Sequence, residues 1–265
     1  MNTSKAHVPG AHRGNGSQRH SLARFATENA VRRQRRVWSG RVASWDQHGS
    51  AGLAKVSAAV LAAAGLSSEA TGSLVVDLGC GTGQLSLPLA RLGAQVLAVD
   101  VSAAMVQRLR SEARRLGVTQ VEGLAMPIEK LALPPESVDL IVSSYALHHL
   151  RDADKARLVA SAFGWLRPGG RIVIADMMFG RGGSSRDRAI IKSKVASLAR
   201  KGPAGWWRIA KNAARYLLRV QERPVSMNAW TAMLERSGFA GVTATAIVSE
   251  AGLIVGYRPE HQVGA

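Results

Sequence analysis

The stretch Val75-Val76-Asp77-Leu78-Gly79-Cys80-Gly81-Thr82-Gly83 constrains this chain more than any other. An apolar strand runs into three glycines at alternate positions, and helical spacing resumes at Gln84. Glycine is needed where φ turns positive or where a ligand meets backbone with no Cβ between, and the helix start beyond offers unpaired N–H groups. The bland alternative is an ordinary tight strand-to-helix turn. Seventeen residues past Gly83, the run Val96–Val99 ends in Asp100. An acid at the tip of the next strand can accept both hydroxyl protons of an adenosine ribose, although a helix cap shared with Ser102 is the simpler use of such a residue.

The rest of the chain repeats this strand-then-helix order. Short β-rich runs at Leu74–Leu78, Gln95–Val99, a piece at Val121, Val138–Ser143 and Arg171–Ala175 alternate with helical stretches near Gly83–Leu92, Ala103–Leu116 and Asp152–Leu166. Such alternation predicts a parallel sheet covered by helices on both faces. From Ser184 to Gln221 the alternation gives way to two helices separated by Gly202 and Pro203. A last helix, Met227–Ser237, leads into the runs Val242–Val248 and Gly252–Tyr257, whose connection is too short for anything but antiparallel pairing. Residues 1–25 have almost no apolar periodicity and read as a disordered basic tail. Residues 26–265 read as a single domain with an N-terminal helical cap (26–65) and a helical insertion (181–223).

Charge is the second constraint. The net +17 sits in two blocks: residues 1–41 carry nine basic and one acidic residue, and residues 181–223 carry twelve basic and two acidic. The remainder is close to neutral, so the basicity belongs to two segments attached to a neutral body. With 46% apolar residues the body has material for one buried core. The single cysteine, Cys80, excludes an internal disulfide framework and a thiolate metal site and fits a reducing compartment. No apolar run reaches about 18 residues and no secretory pattern opens the chain, so the expectation is a cytoplasmic protein that neither spans a membrane nor is exported.

The pattern D-x-G-x-G-x-G at 77–83 resembles motif I of the class I S-adenosylmethionine-dependent methyltransferases. Further matches follow in order: "LAVDVS" around Asp100, "LALPPESVDLIVSSYALHHL" from Leu131 to Leu150, and "LRPGGRIVIADMMF" from Leu166 to Phe179. The resemblance covers roughly residues 70–180 and is nearest in flavour to the broad group that includes the quinone-biosynthesis methyltransferases. It implies a Rossmann-like, doubly wound α/β fold: a seven-stranded, mostly parallel sheet with an antiparallel C-terminal strand, plus a helical lid insertion. It implies S-adenosylmethionine as cofactor and no metal. Asp77 would hold the methionine end, while Gly79, Cys80, Gly81 and Gly83 shape the loop beneath it. Asp100, with Val101 beside it, would bind the ribose, and Ser143 and Ser144 would sit by the methionine moiety. The alignment puts Pro127 where family members offer an acid to the adenine amino group, so that adenine would rest on Met126, Ile128 and backbone groups. This departs from the pattern.

Methyl transfer from a sulfonium is an in-line displacement of an activated leaving group, so the protein has mainly to align the acceptor and exclude water. A hydroxyl acceptor also needs its proton removed, for which histidine is suited near neutral pH. The candidates are Tyr145, His148 and His149 after the fourth strand and Asp176 after the fifth; structural packing is the alternative for the His pair. His48 is a further candidate, closing the run "RVASWDQH" that includes Trp45 and Asp46. In the insertion, Trp206, Ile209, Ala213, Leu217 and Val220 share one helical side, while Arg208, Lys211, Arg215 and Arg219 share the other. This predicts a basic amphipathic lid helix over a small-molecule or lipid, isoprenoid-like acceptor, with peripheral contact to an anionic membrane face as one use of the charge. The alternative is an RNA-binding methyltransferase or a nucleic-acid-binding protein. An aromatic content of 5% leaves few stacking platforms for it. A dinucleotide-dependent oxidoreductase is disfavoured by the glycine spacing.

Overall fold

The computed structural model describes residues 31–32, 34–40, 51–66, 71–180, 185–200, 202 and 223–260. The N-terminal tail, Trp45, Asp46, His48 and the helix expected around 206–220 lie outside the described residues.

Helix α1 (Ala51–Ala64) precedes a run of alternating elements: β1 (Leu74–Leu78), α2 (Ser86–Arg91), β2 (Gln95–Asp100), α3 (Ala103–Arg115), β3 (Val121–Ala125), β4 (Val138–Ser144), α4 (Asp152–Trp165) and β5 (Leu166–Met177). Then come α5 (Ser185–Ala199), α6 (Met227–Arg236), β6 (Ala240–Ala246) and β7 (Ala251–Tyr257). All seven strands form one sheet in the order β3-β2-β1-β4-β5-β7-β6. The first five are parallel, whereas β7 runs antiparallel to β5 and β6 antiparallel to β7. The doubly wound, mostly parallel architecture expected from the sequence is the one observed.

Period-two alternation in the central strands sorts the core into two layers. Val76, Leu78, Ile141, Ile172 and Ile174 point to one face, where α4 and α6 contribute Leu158, Val159, Trp230 and Leu234. Val75, Leu140, Val142, Val173 and Ala175 point to the other, under α1, α2 and α3, which contribute Val56, Val60, Leu89 and Leu109. Covering on both faces is why these strands read as unbroken apolar runs. β5 begins at Leu166, five residues before the expected Arg171. Val138 pairs Leu166 while Leu140 pairs Arg171, so an irregularity in the ladder absorbs the Pro168-Gly169-Gly170 segment.

The order places the reversal of winding between β1 and β4, with β2 on the far side of β1. In an open α/β sheet this opens a crevice at the carboxyl ends of the strands.

Candidate functional site

The glycine loop is bound to the tip of β2. The amides of Gly79 and Cys80 both donate to the Val99 carbonyl at 2.8 and 3.0 Å, and the amide of Gly81 donates to Asp100 Oδ2 at 3.0 Å. Gly79 has φ +80°, and a Cβ there would stand 2.2 Å from Ala146 Cβ. Only glycine permits the loop to close on the β4 connection while leaving a backbone wall. Gly83 serves a different end. With φ +99°, its missing Cβ makes room for Leu109 and Leu87, so it packs the loop onto α3 and α2 rather than facing the crevice.

Asp100 accepts from the Ser102 amide through its other oxygen at 2.8 Å, and Ser102 Oγ caps α3 by accepting from the Met105 amide. The acid expected to face a ribose and the helix cap are thus adjacent residues, Asp100 and Ser102. Burial raises the Asp100 carboxyl above its ordinary value, and the amides of Ser102 and Gly81 partly offset this. Asp77 lies behind the loop, fully buried, with Oδ2 accepting from Ser86 Oγ at 2.6 Å. Burial pushes its carboxyl up to about 7 against the Ser86 hydrogen bond, with a further contribution from Asp100. Burial, followed by Asp77 and Asp100, pushes the Cys80 thiol well up, which removes it from consideration as a nucleophile.

A cleft opens at this edge, at the carboxyl ends of β1, β2 and β4. Gly79, Gly81, Asp100, Val101, Met105, Ile128 and Glu129 line one part, and Ser144, Tyr145, Ala146, His149 and Leu150 line the other. Gln34 and Trp38 close it from above. Their segment, helical over 34–39, spans the cleft: Gln34 Nε2 donates to the His149 carbonyl at 3.1 Å, Arg35 Nε donates to the Val101 carbonyl at 3.3 Å, and Ser39 and Ser102 share a hydrogen bond at 3.1 Å. The Trp38 ring meets the His149 ring edge-on with centroids 5.3 Å apart.

Several expected site residues stand back from the cleft. Ser143 turns the other way and donates to the Leu78 carbonyl at 2.8 Å, whereas the buried Oγ of Ser144, one residue on, has no hydrogen-bond partner among the described residues. Met126 packs against the core, and Pro127 is a buried N-terminal flank to the 3₁₀ turn Ile128–Lys130, so of the three residues expected under adenine only Ile128 reaches the cleft. His148 and Asp176 form a buried pair: Nδ1 lies 2.5 Å from Oδ1, and the His148 amide donates to Oδ2 at 2.7 Å. Burial alone would raise the Asp176 carboxyl; His148 and the Met177 amide overcome it and hold it below its ordinary value. His149, stacked on His148 with centroids 4.0 Å apart, and Tyr145 are the two expected catalytic side chains on the cleft wall. Tyr145 adopts φ +50°, an uncommon conformation for an aromatic residue, and burial with Glu250 and Asp176 nearby pushes its phenol up to about 12.

Gln34, Met105 and Glu129 were not foreseen. Gln34 and Trp38 stand four apart on one helical face, a signal the sequence does carry; Glu129 carries none, since its placement depends on the turn after Pro127.

This arrangement suits an adenosyl sulfonium: a backbone wall that a Cβ would fill, an acid held by two amides, and an orphaned buried hydroxyl at Ser144. Gly79, Gly81, Asp100 and Ser144 are the cleft residues that would hold it, with Asp77 buried behind the loop. Residues 75–170 match the family model described as a methyltransferase domain. An uncharacterized methyltransferase of Geobacillus kaustophilus is 32% identical over 138 residues, covering 51% of this chain and 58% of that protein. A ubiquinone biosynthesis O-methyltransferase of Xanthomonas euvesicatoria is 34% identical over 110 residues, covering 41% of this chain and 45% of that protein. The chain therefore spans about half the length of these relatives. Among solved structures, a SAM-dependent methyltransferase of Aquifex aeolicus superposes with a TM-score of 0.57 at 18% identity, covering 83% of this chain and 98% of that one, a likeness of fold. Residues 75–170, which hold the glycine loop, Asp100 and the connection after β4, are thus similar to a methyltransferase domain.

Proposed function

We propose that the chain is an S-adenosylmethionine-dependent methyltransferase whose acceptor is a hydroxyl group on a small molecule or isoprenoid-like lipid. One observation carries the reading: the glycine loop, Asp100 and the orphaned Ser144 hydroxyl share a single cleft with His149 and Tyr145. The bound cofactor would supply an electrophilic methyl group on a sulfonium.

The chain's own residues then have three tasks. Asp100, oriented by the Gly81 and Ser102 amides, accepts from the ribose hydroxyls, and the Ser144 hydroxyl, on the cleft wall with Gly79, orients the methionine end. Trp38 and Gln34 shield the cleft from water, which strengthens every electrostatic contact inside it. The third task is the acceptor proton. Tyr145, with its phenol at about 12, keeps its own proton at neutral pH and acts as a hydrogen-bond donor. An imidazole nitrogen of His149 takes the hydroxyl proton, and the His148–Asp176 pair stacked behind it fixes the ring.

Oxygen as the acceptor atom is supported by the similarity to a ubiquinone biosynthesis O-methyltransferase. An anionic or lipid-like acceptor is supported by α5, which turns Asp187 and Ile190 inward and Arg188 and Lys192 outward. Among the described residues no helix is long and apolar enough to cross a membrane, so contact with a lipid surface would be peripheral.

The test incubates the purified full chain with isotopically labelled cofactor and a panel of phenolic and prenylated phenolic acceptors, read by mass spectrometry. A product heavier by one labelled methyl on oxygen is expected, formed roughly 100-fold more slowly by His149→Ala, as for loss of a general base. Transfer to oxygen at an unchanged rate in His149→Ala removes the assigned base. No binding of S-adenosylhomocysteine by the wild-type chain removes the whole reading.

A further inference from the structure

We infer that the carboxyl edge of the sheet, where the cleft opens, is a cationic face that docks on an anionic phospholipid bilayer. The charge argument stands apart from the methyl-transfer reading. Only its consequence, that a lipid-like acceptor passes from the bilayer into the cleft, rests on that reading.

The two basic blocks lie far apart in the sequence, and the structure fixes both to this edge. The first, with nine basic and one acidic residue over 1–41, includes the helical segment across the cleft. Its Arg35 Nε donates to the Val101 carbonyl beyond β2 at 3.3 Å, and its Gln34 Nε2 to the His149 carbonyl beyond β4 at 3.1 Å. The second, with twelve basic and two acidic residues over 181–223, is held at both ends. It leaves just past β5, where the Gly180 amide donates to Asp187 Oδ1 at 2.7 Å. It returns at Arg223, whose amide donates to the His148 carbonyl at 2.7 Å and whose carbonyl accepts from Lys155 Nζ at 2.7 Å. Almost all of the chain's excess charge is thereby gathered around one cleft mouth.

Within the described residues of the two blocks the one acid is Asp187, which is buried and turned to Gly180. Arg32, Arg35 and Arg36 are exposed in the first block, and Arg188, Lys192 and Arg200 in the second. The other acids of this edge are engaged elsewhere. Asp100 and Glu129 line the cleft, Asp176 bonds His148, Asp152 lies 3.3 Å from Lys155 Nζ, and Glu250 accepts from Ser249 Oγ. The opposite edge is built differently, with Arg167 beside Asp139, Arg258 beside Glu136 and Arg115 beside Glu112. Charge spread evenly would serve solubility, whereas charge confined to one face makes a directed field.

Such a face recognises a surface dense in phosphate, and what lies between the cations favours a bilayer over nucleic acid. Arg188, Lys192, Val195 and Ala196 follow one another along an exposed side of α5, with Val195 39% exposed. Cationic heads beside apolar groups suit the boundary between headgroups and acyl chains. Single-stranded nucleic acid is held on aromatic platforms as well as charge, and α5 has no aromatic residue. Farther along the same block stand Trp206 and Trp207, the residue type that settles at the headgroup level.

The test follows cosedimentation of the full chain with vesicles of phosphatidylcholine alone and of phosphatidylcholine mixed with phosphatidylglycerol. Binding to the anionic vesicles is expected at low salt, lost as salt rises, with little binding to the neutral ones. A Lys or Arg near an anionic bilayer is worth about fivefold in partitioning, so the triple variant Arg188→Gln, Lys192→Gln, Arg200→Gln should bind roughly 100-fold more weakly. The same charge removed at helix ends on the opposite edge, in Arg91→Gln, Arg114→Gln, Arg115→Gln, should change binding by less than about threefold, since those sites lie beyond a Debye length from the bilayer. Both variants should keep the wild-type melting temperature and affinity for S-adenosylhomocysteine. Equal losses in the two variants, or equal binding to neutral vesicles, overturn the docking face. Tighter binding of the wild type to single-stranded RNA than to anionic vesicles overturns it too. A chain that binds the anionic vesicles but not S-adenosylhomocysteine keeps the docking face and loses the methyltransferase reading; the opposite result does the reverse.

Discussion

Asp77 sets cofactor binding against stability, and Asp77→Asn should expose the conflict. The carboxyl is 1% exposed and bonded to Ser86 Oγ, and burial holds its folded-state value near 7, against an ordinary 3.8. A raised value means that the fold favours the protonated form. The stability contributed by neutral Asp77 is therefore complete below about pH 4 and is lost as pH rises through about 7. The difference of about 3 units corresponds to an upper bound of about 4 kcal/mol at pH 8, taking 1.36 kcal/mol per unit. Asparagine keeps the acceptor for Ser86 and never ionises. Asp77→Asn should therefore melt about 5–10 °C above the wild type at pH 8 and within about 2 °C of it at pH 4.5, using 2–4 °C per kcal/mol for a chain of this size. Affinity for S-adenosylhomocysteine should move the other way at pH 8, because the ligand ammonium loses the negative charge buried behind the glycine loop. In the wild type, binding at pH 6 should release a proton, seen as a dependence of the calorimetric heat on buffer ionisation enthalpy. Thermal melts across pH 4.5–8.5 for both proteins decide the matter. An asparagine variant less stable than the wild type at pH 8, or a difference that does not grow with pH, would refute the reasoning.

Two further predictions rest on geometry alone. Gly79→Ala puts a Cβ 2.2 Å from Ala146 Cβ at a left-handed φ, so it should cost at least ~2 kcal/mol and abolish S-adenosylhomocysteine binding by calorimetry; unchanged binding would show that the loop is no cradle. Lys155 is completely buried and donates to the carbonyls of Leu150 and Arg223 at 2.8 and 2.7 Å, holding the chain that re-enters at residue 223 against the end of the cleft. Lys155→Met keeps the stem but strands both carbonyls, and chemical denaturation should show a loss of about 2–4 kcal/mol; a loss below about 1 kcal/mol would mean that water replaces the ammonium.

Much of the fold was legible because its signals are local. β1 begins and ends at the residues where apolar spacing starts and stops, and the 246–251 connection leaves β6 and β7 no arrangement but a hairpin. The start of β5 was not legible, because Pro168-Gly169-Gly170 reads as a turn until pairing with β4 draws Leu166 into the sheet. Site residues divide in the same way. Gly79, Gly81 and Asp100 announce themselves by spacing along one strand-turn-helix unit. Ser143 and Ser144 differ only in which side of β4 they face, and His148 and His149 only in how one short turn is seated: His148 goes to Asp176 and His149 to the cleft.

The sequence alone determined the winding of the sheet, the glycine loop and the acid one strand away, since each follows from backbone conformations that particular residues permit or forbid. The tertiary structure decided which of two adjacent side chains faces the cavity, that Glu129 reaches the cleft from the turn after Pro127, and that a buried lysine joins segments 68 residues apart. Those outcomes depend on packing between distant elements, where a rotation of one residue exchanges core for cleft and no spacing along the chain records the choice.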